Sequence, residues 1–151
     1  MVNMEINGVE TAEALRYDTL ALSPEVMGAL QHKGYEVATP IQSGCIPFLM
    51  DYQDVVAKAP TGTGKTYAFG IPIVEHTDPE GTDVTSLILA PTRELALQIR
   101  DDLRELSALK KGVRVVCLYG GQPIDKQVNQ LKKKPQIVVA TPGRLMDHKK
   151  R

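Results

Sequence analysis

Residues 59–66, Ala-Pro-Thr-Gly-Thr-Gly-Lys-Thr, contain the residue types that bind phosphate groups. The stretch follows a short apolar run at 54–58 and precedes a segment of helical pattern, which is the context that a phosphate-binding loop requires. Its two glycines allow the backbone to turn its N–H groups inward, because no Cβ blocks an approaching phosphate. The positive end of the following helix adds to the attraction. The stretch therefore predicts a nucleoside triphosphate site.

The last two residues of this loop have distinct expected roles. Lys65 is predicted to contact the β- and γ-phosphates, and the Thr66 hydroxyl is predicted to ligate Mg²⁺. One position departs from the generic pattern, which begins with glycine where this chain has Ala59. An ordinary glycine-rich turn is the alternative, but Gly-Lys-Thr between a strand and a helix argues against it.

The composition is that of an ordinary globular domain. The 151 residues carry 18 basic and 18 acidic side chains, which excludes a strongly basic nucleic-acid binder but allows a local basic patch. The two cysteines and three histidines lack metal-ligand spacing, which favours buried free thiols in a reducing compartment. No stretch approaches the roughly 20 apolar residues of a membrane span, and the N-terminus is unlike a signal peptide. These features predict a cytoplasmic protein without a membrane partner.

Caps, prolines and apolar spacing predict three helices in the first half of the chain. A Ser-Pro-Glu start and a Lys-Gly end define a helix at 23–34, and Thr-Pro opens a second helix at 39–48. Residues 65–76 are predicted to be helical with a kink at their proline, and 77–83 to be a polar loop. Residues 1–16 carry little pattern beyond an Asn-Gly turn signal, and we expect an extension with little order there.

Strands and helices alternate through the second half. Apolar runs at 84–90, 113–119 and 136–140 predict strands. Thr92 is predicted to cap a long helix that ends at Lys110-Lys111-Gly112, and a polar helix is predicted at 123–132. Alternation of this kind implies an α/β fold with a parallel sheet and helices on both faces.

Each of these three strands ends in a polar turn. The turns are Pro-Thr-Arg at 91–93, Gly-Gly-Gln at 120–122 and Thr-Pro-Gly-Arg at 141–144. Open α/β sheets bind ligands at the carboxyl ends of their strands. An arginine beside a helix start suits a phosphate backbone, because backbone amides and a guanidinium both donate to phosphate oxygens. Plain connections with solvent-facing arginines are the alternative, and spacing alone does not separate the two.

Together these motifs resemble the N-terminal RecA-like domain of the DEAD-box ATP-dependent RNA helicases, from Tyr17 to the C-terminus. Residues 34–42 resemble the family's Q motif, and 59–66 resemble its motif I, in which alanine normally holds the first position. Residues 91–96, the double glycine at 120–121 and residues 141–144 are similar to motif Ia, the double-glycine motif and motif Ib. The resemblance implies a RecA-like P-loop NTPase fold for 17–151, incomplete at the C-terminus.

The resemblance also implies roles for residues on the nucleotide side. Gln42 would bond the adenine edge, since its amide offers a donor beside an acceptor, and Tyr35 would stack on the ring. Tyr17 stands where the family usually has phenylalanine, and its hydroxyl needs a partner or water. The implied ATP-binding set is Tyr35, Gln42, Thr61, Gly62, Thr63, Gly64, Lys65 and Thr66. Within it, Lys65 and Thr66 would be catalytic and Thr66 would be the Mg²⁺ ligand.

On the nucleic-acid side the resemblance implies contacts with the phosphates and sugars of RNA, which are independent of base sequence. The implied set is Pro91, Thr92, Arg93, Gly120, Gly121, Thr141, Pro142, Gly143 and Arg144. The Lys132–Lys134 run could extend this surface, although a solvated helix end explains it better.

The sequence contains no Asp-Glu-Ala-Asp run, which in the family supplies the acids for Mg²⁺ and for the attacking water. The Ser-Ala-Thr motif is absent from these residues, as is the second RecA-like domain with its arginine finger, against which this domain would pack. The resemblance implies a parent protein that couples ATP binding and hydrolysis to local RNA duplex unwinding. It also implies that this 151-residue chain alone is inactive.

Two other function classes share part of this pattern. A small kinase or other phosphate-loop NTPase would share the loop, but Gln42 after Gly34-Tyr35 and the Pro-Thr-Arg-Glu-Leu-Ala run argue against it. A non-catalytic adenine-nucleotide or RNA binding module is the alternative for the isolated chain.

Overall fold

The structure, a computed structural model, describes the backbone of residues 2–5 and the whole of residues 14–150. The chain forms two compact units, one made of 1–76 with 106–109 and the other of 77–105 with 110–151. Strands pair in parallel within each unit. The Asn7-Gly8 turn signal lies outside the described residues.

The described residues of the first unit form two strands, three α-helices and a short 3-10 helix. Strand β1 (Val2–Glu5) pairs with β2 (Val55–Lys58). The α-helices are α1 (Pro24–His32), α2 (Pro40–Met50) and α3 (Lys65–His76), and the 3-10 helix is Tyr17–Thr19. Helices α1, α2 and α3 bury an apolar core whose most enclosed aliphatic members are Val26, Leu30, Ile41, Ile46, Ile71 and Val74.

Local sequence signals fix where these helices begin and end. Ser23 Oγ accepts a hydrogen bond from Val26 N at 3.3 Å, which confirms the predicted N-cap of α1. Gly34 follows the end of α1 with a φ of +75°, a conformation that glycine adopts without a Cβ penalty. Proline is the first residue of both α1 and α2, where its missing N–H removes no helical hydrogen bond.

As far as residue 150, the second unit forms a three-stranded parallel sheet and three helices. The strands are β3 (Ser86–Leu89), β4 (Val115–Leu118) and β5 (Ile137–Ala140), in the order β3-β5-β4. The helices are α4 (Arg93–Leu106), α5 (Ile124–Leu131) and α6 (Pro142–Lys149). All residues of β4 and β5 are buried, which fits the continuous apolar runs of parallel strands.

The structure confirms the parallel α/β class and corrects several element ends. Helix α4 ends at Leu106, so the basic run at Lys110-Lys111 does not close it as predicted. Residues 107–112 instead form turns, and Gly112 has a φ of +103°. Strand β1 was not predicted, because four residues without alternation give no periodic signal to read.

A buried glutamine, Gln136, joins the loop before β3 to the turn before β4. Its Nε2 lies 3.0 to 3.3 Å from four backbone carbonyl oxygens, those of Asp78, Pro79, Gly81 and Gly112. Its Oε1 accepts from Arg114 N at 2.8 Å. The two N–H groups of the amide can donate to two of these carbonyls at a time, and Oε1 satisfies the Arg114 N–H, at an end of the sheet where an unpaired buried polar group would be costly.

Within the described residues, no helix combines the length and apolar character that crossing a membrane requires. That part of the chain also contains no cluster of three or more His, Cys, Asp or Glu side chains placed to hold a metal ion. Cys45 and Cys117 are both buried free thiols, as predicted, and burial raises the pKa of each.

Candidate nucleotide and nucleic-acid sites

The turn between β2 and α3 has the backbone geometry of a phosphate cradle. Gly62 and Gly64 both have a φ of +84°, which side-chain-bearing residues rarely adopt. A Cβ on Gly62 would meet no atom within 4 Å, so the space above this glycine is open. Thr63 Oγ1 donates to Pro60 O at 2.6 Å and braces the turn. Glycine is therefore required by backbone conformation at both positions.

Lys65 and Thr66 are the first two residues of α3. Lys65 is exposed and forms no ion pair with any described residue, while Thr66 is half-buried. The first turn of a helix presents unpaired N–H groups and the positive dipole end, so an anion placed here meets donors and an ammonium together. The Thr66 hydroxyl is an oxygen ligand of the kind that Mg²⁺ accepts, and the other ligands would have to be phosphate oxygens and water.

The amide of Gln42 is the centre of the hydrogen bonds beside this loop. Gln42 is buried, and its Oε1 accepts from Thr39 N at 3.1 Å and also from the Tyr17 hydroxyl. Its Nε2 donates to Gly64 O at 3.1 Å. A Cβ on Gly64 would overlap Gln42 Nε2, so the glycine also makes room for this amide. One side chain thus joins the 3-10 helix, the start of α2 and the phosphate loop.

The Tyr17 ring is almost completely buried. Its hydroxyl donates to Gln42 Oε1, which is the hydrogen-bond partner that a buried tyrosine hydroxyl needs. Burial, together with the neighbouring Tyr35, raises the pKa of Tyr17 to about 12. The hydroxyl is consequently protonated at neutral pH and available as a donor.

Three further side chains flank Gln42 or the loop in the sequence. Tyr35 is 44 % exposed, and its ring lies edge-on to Tyr67 with the centroids 5.9 Å apart. Thr39 Oγ1 is buried and has no hydrogen-bond partner among the described residues. An exposed aromatic face such as that of Tyr35 is a suitable surface for a planar ring to stack on. The sequence analysis included Thr39 in the Q-motif stretch at 34–42 without assigning it a role, and it did not identify Tyr67.

In the second unit, the three polar turns lie at the carboxyl ends of β3, β4 and β5. Parallel pairing places those ends at one edge of the sheet. The turns also touch, because a Cβ on Gly121 would lie 3.1 Å from Arg93 Nη1 and Arg144 Nη1 donates to Gln122 O at 2.8 Å. Gly121 has a φ of +88°, so this close approach coincides with a backbone conformation that favours glycine.

The two arginines of this edge differ in how they are used. The side chain of Arg93 is 53 % exposed and only loosely paired with Glu94, at 3.8 Å. The side chain of Arg144 is 15 % exposed and is held by Gln127 Oε1, at 3.3 Å, as well as by Gln122 O. Arg93 is therefore free to meet an incoming phosphate, whereas Arg144 already holds the double-glycine turn in place.

The remaining members of the predicted set are placed by helix starts. Thr92 Oγ1 accepts from Leu95 N at 3.2 Å, which confirms Thr92 as the cap of α4. Thr141 precedes Pro142 at the start of α6, and its side chain makes no capping bond. Pro91, Gly120, Pro142 and Gly143 are exposed. The start of α6 thus leaves its first N–H groups without a side-chain cap.

Gln127 is a residue of this edge that the sequence reading missed. It is completely buried, its Nε2 donates to Tyr119 O at 2.8 Å, and its Oε1 lies 2.9 Å from His148 Nε2. The only sequence signal was a glutamine on the apolar side of a short polar helix, which is a weak one.

These features define an α/β phosphate-loop domain with a second polar edge on a parallel sheet. Residues 39–151 match the family model for the DEAD/DEAH box helicase. The chain therefore belongs to the DEAD/DEAH box helicase family, and the parallel α/β fold is that of its RecA-like domain.

Known relatives agree with this assignment. The chain is 49 % identical over 132 residues to the DEAD-box ATP-dependent RNA helicase CshA of Geobacillus kaustophilus, covering 87 % of this chain and 28 % of the relative. It is also 49 % identical to the ATP-dependent RNA helicase DeaD of Escherichia coli, covering 87 % of this chain and 21 % of the relative. A crystal structure of a DEAD box protein from Methanococcus jannaschii superposes with a TM-score of 0.82 at 39 % identity, over 88 % of this chain and 36 % of the other. The chain spans only about a quarter of the length of these curated helicases.

Proposed function

We propose that this chain is the ATP-binding, RNA-contacting N-terminal part of a DEAD-box helicase that couples ATP binding and hydrolysis to local RNA duplex unwinding. The observation that carries the nucleotide half is the hydrogen bond from Gln42 Nε2 to Gly64 O, at 3.1 Å. It brings a group able to read a base next to a loop able to cradle phosphates. The names of the similar helicases support ATP as the nucleotide and RNA as the polymer.

In this proposal the triphosphate lies on the loop 61–66, with Lys65 on the β- and γ-phosphates and Thr66 on Mg²⁺. Tyr35 stacks on the adenine and Gln42 bonds its edge. The support is the pair of glycines at φ +84°, the exposed ammonium at the start of α3 and the exposed Tyr35 ring.

Titration with labelled ATP and Mg²⁺ tests this half. Lys65→Ala removes a charge-assisted contact to phosphate, so we expect ATP affinity to fall by about tenfold or more. Lys111→Ala is the matched control, because it removes an exposed lysine from the turn before β4. Equal ATP affinity for the Lys65→Ala variant and for the unsubstituted 151-residue chain (called the parent chain below) would overturn the proposed site.

The RNA half of the proposal assigns the polar edge of the second unit to phosphates and sugars of RNA. Arg93 and the uncapped start of α6 are the groups expected to face the phosphates, while Pro91, Thr92, the double glycine and residues 141–144 shape the surface. Support comes from the meeting of the three turns at one sheet edge, through the contacts of Gly121 and Gln122. Binding of single-stranded RNA that is independent of base sequence and weakens with salt is the expected result.

For the isolated 151-residue chain we propose nucleotide binding without turnover. The sequence contains no Asp-Glu-Ala-Asp run to position Mg²⁺ and the attacking water, and an arginine finger alone is typically worth on the order of a thousandfold in phosphoryl transfer. A phosphate-release assay with saturating RNA measures this directly. Turnover above background, lost in Lys65→Ala, would contradict the proposal. Packing against a second RecA-like domain and a cytoplasmic location stay predictions.

A further inference from the structure

The hydrogen bonds of the Gln42 amide restrict what this side chain can offer a bound base. A primary amide has two N–H donors and two carbonyl lone pairs. Oε1 accepts from Thr39 N and from the Tyr17 hydroxyl, so both lone pairs are used. Nε2 uses one N–H on Gly64 O, and its other N–H has no partner within residues 14–150, so it can donate to a ligand. With these partners, Gln42 is a donor and not an acceptor toward a ligand.

The orientation of the amide is determined by its fixed neighbours. A reversed amide would place its NH₂ against the Thr39 N–H and its oxygen against the Gly64 carbonyl, which gives a donor facing a donor and an acceptor facing an acceptor. The Tyr17 hydroxyl could serve either orientation, but the two backbone groups serve only one. The Tyr17 proton is therefore directed at Oε1.

This arrangement matters because the two purines differ in one group beside N7. Adenine presents the N7 acceptor and a 6-amino donor, and guanine presents the N7 and O6 acceptors. A glutamine that reads adenine through both groups must accept from the 6-amino group while it donates to N7. A glutamine that only donates can bond N7 of either purine.

We infer that the Tyr17 hydroxyl sets the base selectivity of the nucleotide site, because it occupies the lone pair of Gln42 that would otherwise accept from the 6-amino group. The inference rests on the proposed nucleotide site and assigns Tyr17 a role in specificity. Gln42 then reads N7, and the chain discriminates weakly between ATP and GTP at this position. Replacing Tyr17 with phenylalanine keeps the buried ring and releases the lone pair.

The burial and chemistry of Tyr17 support this role. The residue is 2 % exposed, so water does not compete freely for the Oε1 position that the hydroxyl fills. Its raised pKa keeps the hydroxyl protonated at every pH at which nucleotide binding would be measured. Of the two described groups that contact Oε1, the Tyr17 hydroxyl is the one that can be removed without changing the backbone.

The test measures Mg²⁺-dependent binding of four triphosphates to the full chain: ATP, GTP, 7-deaza-ATP and purine riboside triphosphate. The third compound lacks the N7 acceptor and the fourth lacks the 6-amino group. We expect the parent chain to lose about three- to tenfold in affinity for 7-deaza-ATP, the range for one neutral hydrogen bond, and to bind purine riboside triphosphate as well as ATP. In Tyr17→Phe we expect purine riboside triphosphate and GTP each to bind about three- to tenfold more weakly relative to ATP.

Tyr52→Phe is the matched control, because Tyr52 is 79 % exposed in the same unit and stacks on His76 through its ring. It should leave all four relative affinities unchanged. A parent chain that already discriminates against loss of the 6-amino group would overturn the inference, and so would unchanged selectivity in a folded Tyr17→Phe variant. If Tyr17→Phe does not fold, the parent chain's own ranking of the analogues still decides.

The outcomes separate this inference from the proposed function. If the folded chain binds none of the four triphosphates, the nucleotide site itself is wrong and the inference falls with it. If ATP binding is present and depends on Lys65, but the 6-amino group is read by the parent chain, the site stands and only the role of Tyr17 is wrong.

Discussion

Arg93 and Arg144, at the proposed RNA-contacting edge of the second unit, should respond differently to salt when each is replaced. Arg93 is 53 % exposed and lightly paired, so Arg93→Gln removes a group that can lie directly on a phosphate. Arg144 is 15 % exposed and holds Gln122 O and Gln127 Oε1, so Arg144→Lys loosens the double-glycine turn and keeps the charge. Both replacements should weaken RNA binding, but only the first removes a phosphate contact.

The size of the difference follows from counterion release. Each phosphate contact on a single strand contributes about −0.7 to the slope of log affinity against log salt. Between about 50 and about 200 mM salt the concentration changes fourfold. Over that range, one lost contact alters the ratio of the unsubstituted chain's affinity to the variant's affinity by about 2.6-fold, since 4 raised to the power 0.7 is about 2.6. Relative to the parent chain, Arg93→Gln should therefore lose more affinity at low salt than at high salt. The affinity lost in Arg144→Lys should be the same at both.

Fluorescence anisotropy with a labelled oligouridylate, at several salt concentrations, measures these slopes. Arg100→Gln is the control, because it removes a positive charge from α4 at a side chain paired with Asp101 at 2.8 Å. A slope unchanged by Arg93→Gln would show that this arginine does not contact phosphate. A slope reduced by Arg144→Lys, with the charge retained, would refute the assignment of Arg144 to holding the turn.

Three further replacements test other parts of the molecule. Thr66→Val should leave nucleotide affinity unchanged when a chelator removes Mg²⁺. It should abolish the increase in affinity that Mg²⁺ causes, because the Thr66 hydroxyl is the predicted metal ligand. An undiminished Mg²⁺ effect would contradict this prediction. Tyr17 has a folded pKa of about 12 against an ordinary 10.0, so its contribution to stability is complete below pH 10 and is lost as the pH rises toward 12, by up to about 3 kcal/mol. Denaturant titrations below pH 10 and near pH 12 should show a larger loss of unfolding free energy for the unsubstituted chain than for Tyr17→Phe. Equal losses in the two proteins would count against this role of the Tyr17 hydroxyl. Gln136→Leu removes up to three simultaneous hydrogen bonds of a buried amide. We expect the unfolding free energy to fall by about 3 kcal/mol. A fall below about 1 kcal/mol would mean that water replaces the amide.

Much of the fold was predictable because local signals and tertiary structure agree. Ser23 and Thr92 cap helices where the sequence places them, and the apolar run at 136–140 becomes the fully buried central strand β5. The end of α4 was predicted wrongly. A basic pair followed by glycine is typical of a helix end, but the helix had already ended at Leu106 and the glycine serves a later turn.

The residues of the candidate site could be predicted from the sequence, but the hydrogen bonds that connect them could not. Gln42 and the loop glycines carry recognisable motif positions, whereas the partners of the Gln42 amide depend on which residues the fold brings to it. Tyr17 lies 25 residues before Gln42 and Gly64 lies 22 residues after it, separations at which no sequence periodicity operates. Gln127 and Gln136 were missed for the same reason, since a buried amide is identified by the carbonyls around it.

The position of β5 also determines how the second unit exchanges its backbone protons with solvent. This strand is paired on both sides, to β3 and to β4, and every one of its residues is buried. Opening the hydrogen bonds of β5 therefore requires the sheet to separate. Strand β3, by contrast, has two leucines that are more than half exposed, and among the described strands it pairs only with β5. Deuterium uptake at 137–140 should therefore report the global opening of this unit, and uptake at 86–89 should report local fraying that occurs without it.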